Sequence, residues 1–402
     1  MDPEYDRNVS FLWHDEDKPP LAELGSSTSP SEILALIRQH KPVTLNFLDG
    51  NDTCESFIPG KILGKGKSGS VFEIDDDDHK GLPVVLKKFK AKEAPAMKKS
   101  QKGHVTYILS SSLNDVVMSS LFHSFYKGER DYCISFPYFE GFFVCQRDGY
   151  AIIEKLDQTI ASYIGSGNFR ASVFKALAFQ VIYATRFLNL KDVVHNDLHA
   201  KNVMTRTTKG VTYRGVKLDD VSHFAFIIGG QTYYVPNNGT VAKIMDFDFA
   251  AKYSDPSVGP QKVYDKVVDD WNLQFRFSKT YDLLTFVGYL AYYATVRTPG
   301  DRHTPRSEID SARRIVESLA DYIVREAEHQ VGPISNKGHF EEEADGKRRP
   351  RDSISKLLDM VSVPQYRPYE KYCHLDLPEI LNVKCFEEYR HRQSGSLVVG
   401  SI

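Results

Sequence analysis

The sequence predicts an α+β fold, with strands concentrated in the N-terminal part of the chain and helices in the C-terminal part. Short apolar segments at 57–63, 70–74 and 82–89 are bounded by Gly, Pro and Asp, a pattern typical of strands. Further along, apolar residues recur at helical spacing within 170–190 and again within 309–328. With 402 residues, of which 41% are hydrophobic, the chain is long enough to form two packed cores.

Composition and charge argue against several classes of function. Lys and Arg number 51 against 53 Asp and Glu, and the net charge of −2 favours neither nucleic acid nor a membrane as a partner. The five cysteines are odd in number and lack CxxC spacing, which favours a reducing compartment and no structural zinc. The most apolar tract, 281–296, is too short to span a membrane, and the first residues lack the apolar core of a signal peptide. We therefore expect a cytoplasmic protein.

A glycine-rich segment joins the first two predicted strands. It fits the pattern GxGxxGxV and consists of Leu63, Gly64, Lys65, Gly66, Lys67, Ser68, Gly69, Ser70 and Val71. The same glycine spacing occurs in dinucleotide-binding turns, where a helix follows the third glycine. Here the residues after Gly69 continue as a strand, so the pattern predicts two strands joined by a turn that covers phosphate groups.

Two later segments carry the acids and amides that phosphoryl transfer requires. Residues 195–202 read His-Asn-Asp-Leu-His-Ala-Lys-Asn, and the apolar residues 244–245 lead into Asp246. Moving a phosphoryl group depends on positioning and on neutralising negative oxygens. Asp197 is the candidate to accept or orient the proton of an attacking hydroxyl, and Asn202 and Asp246 offer the oxygen ligands that Mg²⁺ prefers.

These segments occur in the order found in protein kinases: the glycine loop, a strand lysine at Lys87, the HxDLxxxN segment, and Asp-Phe-Asp at 246–248. Over residues 56–391 the chain resembles the protein kinase superfamily. Its HNDLHxxN and Asp-Phe-Asp variants resemble the serine/threonine kinases of large DNA viruses, and haspin-type kinases are a more distant likeness.

The resemblance implies a bilobal fold, with a small β-rich N-lobe at about 56–153 and a larger, mainly helical C-lobe at about 157–391. It also implies ATP and Mg²⁺ (or Mn²⁺) as cofactors and a protein hydroxyl as the phosphate acceptor. For a viral kinase, the expected location is the host cytoplasm or the virion.

The resemblance also assigns roles to individual residues. Lys87 would hold the ATP phosphates and pair with an acid from the next helix. The usual glutamate is not evident there; Asp115 is the candidate, and a plain surface aspartate is the alternative. Backbone groups of Glu154 and Leu156 would bind adenine. Asp282 would hold the backbone of the catalytic loop, although a first-turn acid favoured by the helix dipole is the alternative.

Three positions depart from the usual kinase pattern. Asn196 replaces an arginine that binds an activation-segment phosphate in many kinases, so we expect activity without prior phosphorylation. His199 stands where a lysine near the γ-phosphate is common, and His199 or Lys201 would contact phosphate; a solvent-facing role for Lys201 is the alternative. Asp248 replaces a glycine, which predicts less flexibility in the loop that begins at Asp246, here named the metal loop.

The remaining segments lie outside the kinase pattern. We expect a disordered or loose arm at 1–28, an extension with a short helix at 29–55, a β insertion at about 205–240, and a flexible tail at 392–402.

Three functions remain open from the sequence. The first is a serine/threonine protein kinase. The second is a kinase-like small-molecule phosphotransferase, because enzymes of the aminoglycoside and choline type share HxDLxxxN and, like this chain, lack an Ala-Pro-Glu triplet. The third is an inactive scaffold, which the complete set of Lys87, Asp197, Asn202 and Asp246 disfavours.

Overall fold

The computed structural model describes residues 22–23, 43–44, 60–65, 69–73, 83–90, 96–99, 105–109, 111–145, 148–253, 258–260, 278–293, 304–334, 352–362 and 367–402. The helix expected within 29–55 and the loop residues Gly66, Lys67 and Ser68 lie outside these ranges. In the N-terminal region, Ala22–Glu23 pairs in parallel with Val43–Thr44.

The described residues form a mixed α+β structure, as predicted, and fall into two compact units. The first unit comprises Met1–Lys155, Gly210–Val216 and Asp246–Asn272. The second comprises Leu156–Lys209, Lys217–Met245 and Leu273–Ile402. The bilobal arrangement implied by the resemblance stays a prediction.

The first unit is built on a five-stranded antiparallel sheet in the order β1-β2-β3-β5-β4. Its strands are β1 (Ile62–Lys65), β2 (Ser70–Glu73), β3 (Val84–Lys90), β4 (Phe139–Cys145) and β5 (Asp148–Glu154). Val84, Leu86, Tyr150 and Ile152 form a buried cluster. Lys88 follows Val84 and Leu86 on the same face, with Nζ 5.5 Å from the centroid of the Tyr150 ring. Because side chains alternate, Lys87 points to the opposite face.

A single long helix, α1 (Ser111–Lys127), follows in the described part of this unit. Its Phe122 is fully buried, and its ring centroid lies 5.1 Å from that of Phe136. Part of the predicted β insertion also packs here, since the Tyr213 hydroxyl donates a hydrogen bond to the Tyr126 carbonyl at 3.1 Å.

The second unit is mainly helical. Its helices are α2 (Ile160–Ile164), α3 (Ala171–Leu190), α4 (Tyr281–Tyr292), α5 (Arg306–Val331) and α6 (Ser353–Asp359). Helix α3 is buried on all sides from Ala176 to Thr185, which explains why apolar residues occupy nearly every position there.

Two further sheets in the second unit flank the predicted site residues and the insertion. Strands β6 (Val203–Thr207) and β9 (Thr240–Ile244) are antiparallel, and a short strand at Gln158–Thr159 extends the pair. Strands β7 (His223–Ile228) and β8 (Gln231–Pro236) form a hairpin within the predicted insertion. Both residues of its turn, Gly229 and Gly230, have positive φ, which glycine adopts at little cost.

The other described strands and 3₁₀ helices are short. The strands are Ala96–Lys99, Val105–Leu109, Tyr132–Cys133, Val193–Val194, Thr212–Tyr213, Val216–Lys217, Ala251–Lys252, Val258–Pro260, Val361–Ser362 and Arg367–Pro368. The 3₁₀ helices are Leu218–Asp220, Glu370–Tyr372, Ile380–Asn382 and Lys384–Arg390. Among the helices that the structure describes, none combines the length and apolarity needed to cross a membrane.

The C-terminal residues differ from the flexible tail expected at 392–402. Ser396–Ser401 forms strand β10, which runs parallel to β7, and Val399 is fully buried. The Gly and Ser content suggested a loop, but long-range pairing and burial of the strand outweigh this local preference. The residues before this strand form 3₁₀ turns at Ile380–Asn382 and Lys384–Arg390.

Substitution of Gly400 by Ala tests the packing of this C-terminal strand. A Cβ atom at Gly400 would lie 2.7 Å from Cδ1 of Phe226 and 2.8 Å from Cε1 of Tyr183, and both rings are fully buried. We expect Gly400→Ala to lower the free energy of unfolding by about 1–3 kcal/mol, measured by chemical denaturation. Ser401→Ala, on the half-buried neighbour, is the control and should have little effect. Equal stability of Gly400→Ala and wild type would contradict this packing.

Candidate active site

The predicted site residues fall into two groups, one in each unit. The group in the first unit centres on Lys87, which β3 presents on the face opposite the Val84–Leu86 core. Its Nζ lies 2.7 Å from Oδ2 of Asp115 on α1 and 3.5 Å from Oδ1 of Asp246. One carboxylate oxygen from each of Asp115, Asp246 and Asp248 lies within 4.8 Å of the others.

The carboxylates control the charge of Lys87. Burial alone would lower the pKa of this ammonium, but the negative charges of Asp115, Asp246 and Asp248 outweigh that effect and raise the pKa above its usual value. Lys87 therefore carries its positive charge throughout the range in which the protein would work. A fixed cation of this kind is suited to bind phosphate oxygens.

Helix α1 makes further contacts with the residues that follow Asp246. The side-chain amide of Asn114 donates to backbone carbonyls of this segment, and Oδ1 of Asp115 accepts the N–H of Phe247 at 3.0 Å. The ring of Phe247 stacks on that of Phe122, with 3.9 Å between the ring centroids. No motif in the sequence singles out Asn114 or Phe122 as functional residues. Asn114 directly precedes Asp115 on α1, and Phe122 lies seven residues after it, about two helical turns along.

The group in the second unit lies in the loop between α3 and β6. The buried carboxylate of Asp282, in the first turn of α4, accepts the backbone N–H of His195 at 2.6 Å and that of Asn196 at 2.8 Å. Asn196 has a φ of 64°, a left-handed conformation that asparagine tolerates better than most residues. The carboxylate therefore holds two successive peptide groups directly before Asp197.

Asp197 and Asn202 are linked within this loop. Nδ2 of Asn202 donates to the backbone carbonyl of Asp197 at 2.9 Å and to its Oδ2 at 3.3 Å. Because Nδ2 is engaged in this way, Oδ1 is the atom of Asn202 that remains as a possible metal ligand. The Met245 N–H donates to the Asn202 carbonyl at 2.8 Å, and Asp246 is the next residue in the chain.

His199 and Lys201 occupy the same loop in different environments. His199 Nε2 lies 3.7 Å from Oδ2 of Asp197, and its ring centroid is 5.0 Å from that of Tyr289. Burial lowers the pKa of His199, although Asp197 partly opposes this shift. The Lys201 N–H donates to Nδ1 of His199, so the proton of the neutral ring lies on Nε2. The Lys201 residue is exposed, and its role stays a prediction.

Asp246 in the first unit and Asn202 in the second each carry an oxygen donor of the kind that Mg²⁺ binds. Asp246 offers a carboxylate that is 42% exposed, and Asn202 offers an amide oxygen. Hard oxygen ligands of this type, few in number, are what Mg²⁺ takes from a protein when it also binds water and phosphate. Asp246 has a φ of 66°, a strained conformation that its neighbours must maintain.

The structure describes only some of the residues predicted to bind the nucleotide. Leu63, Gly64 and Lys65 form the exposed end of β1, and Ser70 and Val71 begin β2, so the third glycine leads into a strand and not into the helix of a dinucleotide-binding turn. Glu154 ends β5; its N–H donates to the Tyr138 carbonyl and its buried side chain accepts the Tyr138 N–H. Leu156 begins the second unit.

A groove of about 1120 Å³ in the second unit contains none of the predicted site residues. It lies among α3, α5 and the 3₁₀ helices near the C-terminus. Its lining mixes acids such as Asp321 and Glu379 with bases such as Arg314 and Lys384. The groove thus shows no charge preference for one class of ligand.

Comparison with known proteins supports a relationship to protein kinases. Over 225 residues, or 56% of this chain, the sequence is 24% identical to an Aurora kinase of Yarrowia lipolytica. The match covers 51% of that protein, so the chain spans about half the length of this relative. No protein-family model matches the chain. The similarity supports a kinase-like enzyme in general terms, without defining its substrate.

Substitution of Asp282 by Asn is expected to flatten the pH dependence of stability. Burial raises the pKa of Asp282 from 3.8 to about 6, so between these values the folded protein keeps a proton that the unfolded chain releases. The contribution of this group to the free energy of unfolding therefore falls as the pH rises through this window, by up to about 3 kcal/mol, and is constant above it.

Chemical denaturation of wild type and Asp282→Asn at a series of pH values measures this contribution. Asp321→Asn, which changes an exposed carboxylate, is the control and should retain the wild-type slope. A slope in Asp282→Asn equal to that of wild type would show that the carboxyl does not titrate as inferred.

Proposed function

We propose that this protein is an ATP- and Mg²⁺-dependent phosphotransferase, specifically a serine/threonine protein kinase that transfers the γ-phosphate of ATP to a protein hydroxyl. The observation that carries the proposal is the environment of Lys87. Its ammonium forms an ion pair with Asp115 of α1 and lies 3.5 Å from the carboxylate of Asp246. This is the arrangement that phosphate binding beside a metal ligand requires. The similarity to an Aurora kinase supports the same class of enzyme.

Each chemical role that phosphoryl transfer requires has a candidate residue in this chain. Lys87 would bind phosphate oxygens of ATP, and Asp115 would hold its ammonium in place. Asp197 would accept or orient the proton of the attacking hydroxyl. Asn202 and Asp246 would hold Mg²⁺, which neutralises charge on the phosphates when bound.

The nucleotide would be bound largely by backbone groups. We assign the phosphates to the glycine loop, Leu63–Val71, and adenine to Glu154 and Leu156. The Glu154 N–H already donates to Tyr138, so among the main-chain atoms of Glu154 the carbonyl is the candidate acceptor for the adenine amino group.

His199 is the better candidate than Lys201 for a contact to phosphate. Its ring lies against Asp197, and in its neutral form Nε2 carries a proton that it can donate. In the part of the chain that the structure describes, Lys201 makes no comparable contact to Asp197. The Lys201 residue is exposed.

Activity without prior phosphorylation is part of the proposal. Asn196 cannot provide the charge that an arginine offers to a phosphorylated activation segment. Instead, Asp282 holds the Asn196 backbone directly. The loop would therefore be held in place by interactions present in the unmodified chain.

The acceptor distinguishes a protein kinase from a small-molecule phosphotransferase. Purified protein should be incubated with labelled ATP and Mg²⁺ and offered, in parallel, generic protein substrates, aminoglycosides and choline. Label on serine or threonine of a protein supports the proposal. Label only on a small molecule would replace it with the second class of enzyme.

Asp197→Asn tests the assignment of the base. The amide retains the shape and the hydrogen bond from Asn202 but cannot accept a proton, so we expect phosphate transfer to fall by about 10²–10⁴-fold. The matched control is Asp192→Asn, the same change at an exposed residue of the preceding turn, which should retain activity. Wild-type activity in Asp197→Asn would remove Asp197 from this role.

A further inference from the structure

Helix α1 holds the segment after Asp246 through a residue to which the proposed function assigns no role. Asn114 is 2% exposed, and its Nδ2 donates to three backbone carbonyls: Phe247 at 2.9 Å, Asp248 at 3.3 Å and Ala250 at 2.9 Å. A side-chain amide has only two protons to donate, so the contact at 3.3 Å is the weakest member of a shared set. One side chain thus binds three of the four backbone carbonyls in the turn at residues 247–250.

The neighbouring residue on α1 binds the other side of this turn. Asp115 accepts the Phe247 N–H through Oδ1 while its Oδ2 binds Lys87. Within the segment itself, the Ala250 N–H donates to the Phe247 carbonyl at 3.0 Å. Asn114 and Asp115 therefore fix both the donors and the acceptors of the backbone that begins one residue after the proposed metal ligand.

These contacts determine the direction of the Asp246 side chain. Asp246 has a left-handed backbone conformation, with a φ of 66°. This conformation costs free energy and persists only because contacts of the flanking peptide groups offset that cost. The peptide group after Asp246 donates to Asp115. The carbonyl of the peptide group before it, at Met245, accepts from Nε2 of His195 at 2.9 Å.

We propose that Asn114 is a positioning residue for the metal loop: by tying the Phe247, Asp248 and Ala250 carbonyls to α1, it fixes the backbone from which Asp246 presents its carboxylate. The metal loop and α1 then move as one body, and the loop has no separate inactive arrangement. The role of Asn114 in Mg²⁺ binding rests on the proposed function. Its role in fixing the backbone of residues 247–250 does not depend on that function.

Two variants and one matched control test the proposal. Asn114→Leu keeps the shape of the side chain and removes its donors. Asn114→Ser keeps one donor and provides a milder change if the leucine variant does not fold. Asn189→Leu is the control. Asn189 is buried like Asn114, and its side-chain amide donates to a backbone carbonyl, that of Lys279, in the second unit.

The first measurement is hydrogen exchange of the metal-free protein, followed by mass spectrometry of peptides that include 247–250. The Phe247 and Ala250 amides report on this turn because both donate hydrogen bonds. We expect Asn114→Leu to accelerate their exchange by about 10- to 100-fold, as loss of one to two net hydrogen bonds implies, and Asn114→Ser to accelerate it less. Asn189→Leu should leave these amides at the wild-type rate.

The second measurement is metal binding, with Mn²⁺ as the probe, followed by electron paramagnetic resonance in the presence of ATP. We expect Asn114→Leu to weaken Mn²⁺ binding by about 10-fold, with a parallel rise in the Mg²⁺ concentration needed for transfer and a smaller change in the KM for ATP. A purely structural defect would instead affect ATP and metal alike and would appear in Asn189→Leu as well.

Unchanged exchange of the Phe247 and Ala250 amides in both Asn114 variants would overturn the proposal, and so would unchanged Mn²⁺ affinity despite faster exchange. Failure of the wild-type protein to transfer phosphate is a separate result. It would refute the proposed function, and the exchange and Mn²⁺ measurements, which need no turnover, would still decide the role of Asn114.

Discussion

The ion pairs of the partly buried Lys87 ammonium are the interaction on which the first unit depends. A charge in this position is tolerated only when it is paired, because desolvation of an unpaired ammonium costs several kcal/mol. Three carboxylates, those of Asp115, Asp246 and Asp248, raise its pKa and keep it charged. To satisfy the lysine, the register of β3, the rotation of α1 and the path of the chain after Asp246 must all be correct at once. The pairing therefore couples local strand and helix geometry to the proposed chemistry.

The short acid at position 115 has a structural consequence. An aspartate brings the helix backbone closer to the lysine than a glutamate would, since its side chain is one methylene shorter. The same closeness lets the second oxygen of Asp115 reach the Phe247 N–H and places Asn114 within hydrogen-bonding distance of three carbonyls. The departure from the usual kinase residue is thus matched by additional contacts between α1 and the metal loop. Asp248, in place of a glycine, acts in the same direction by restricting the backbone of that loop.

The sequence predicted those features whose signal is local. Helix α3 was evident from its apolar spacing, and the lysine strand from its apolar run. The contacts of Asn114 carry no such signal, because they join one side chain to carbonyls 133 to 136 residues away, and every residue has a carbonyl. Strand β10 was missed for a related reason: its Gly- and Ser-rich composition favours a loop locally, and only pairing with the distant strand β7 makes it a strand. The order of the motifs along the chain was enough to select the candidate site residues. The hydrogen bonds that orient these residues could be identified only from the structure.

Both units use the same physical device to fix the backbone beside a proposed functional group. In the second unit the carboxylate of Asp282 accepts two successive N–H groups before Asp197, and in the first unit the amide of Asn114 donates to carbonyls after Asp246. Each is a short, buried polar side chain, which loses little conformational entropy on ordering and whose hydrogen bonds are strengthened by exclusion of water. A surface phosphate that binds arginine fixes a loop only when the modification is present. Buried bonds of this kind are permanent features of the folded chain, and this is the physical reason to expect a site whose geometry does not wait for another enzyme.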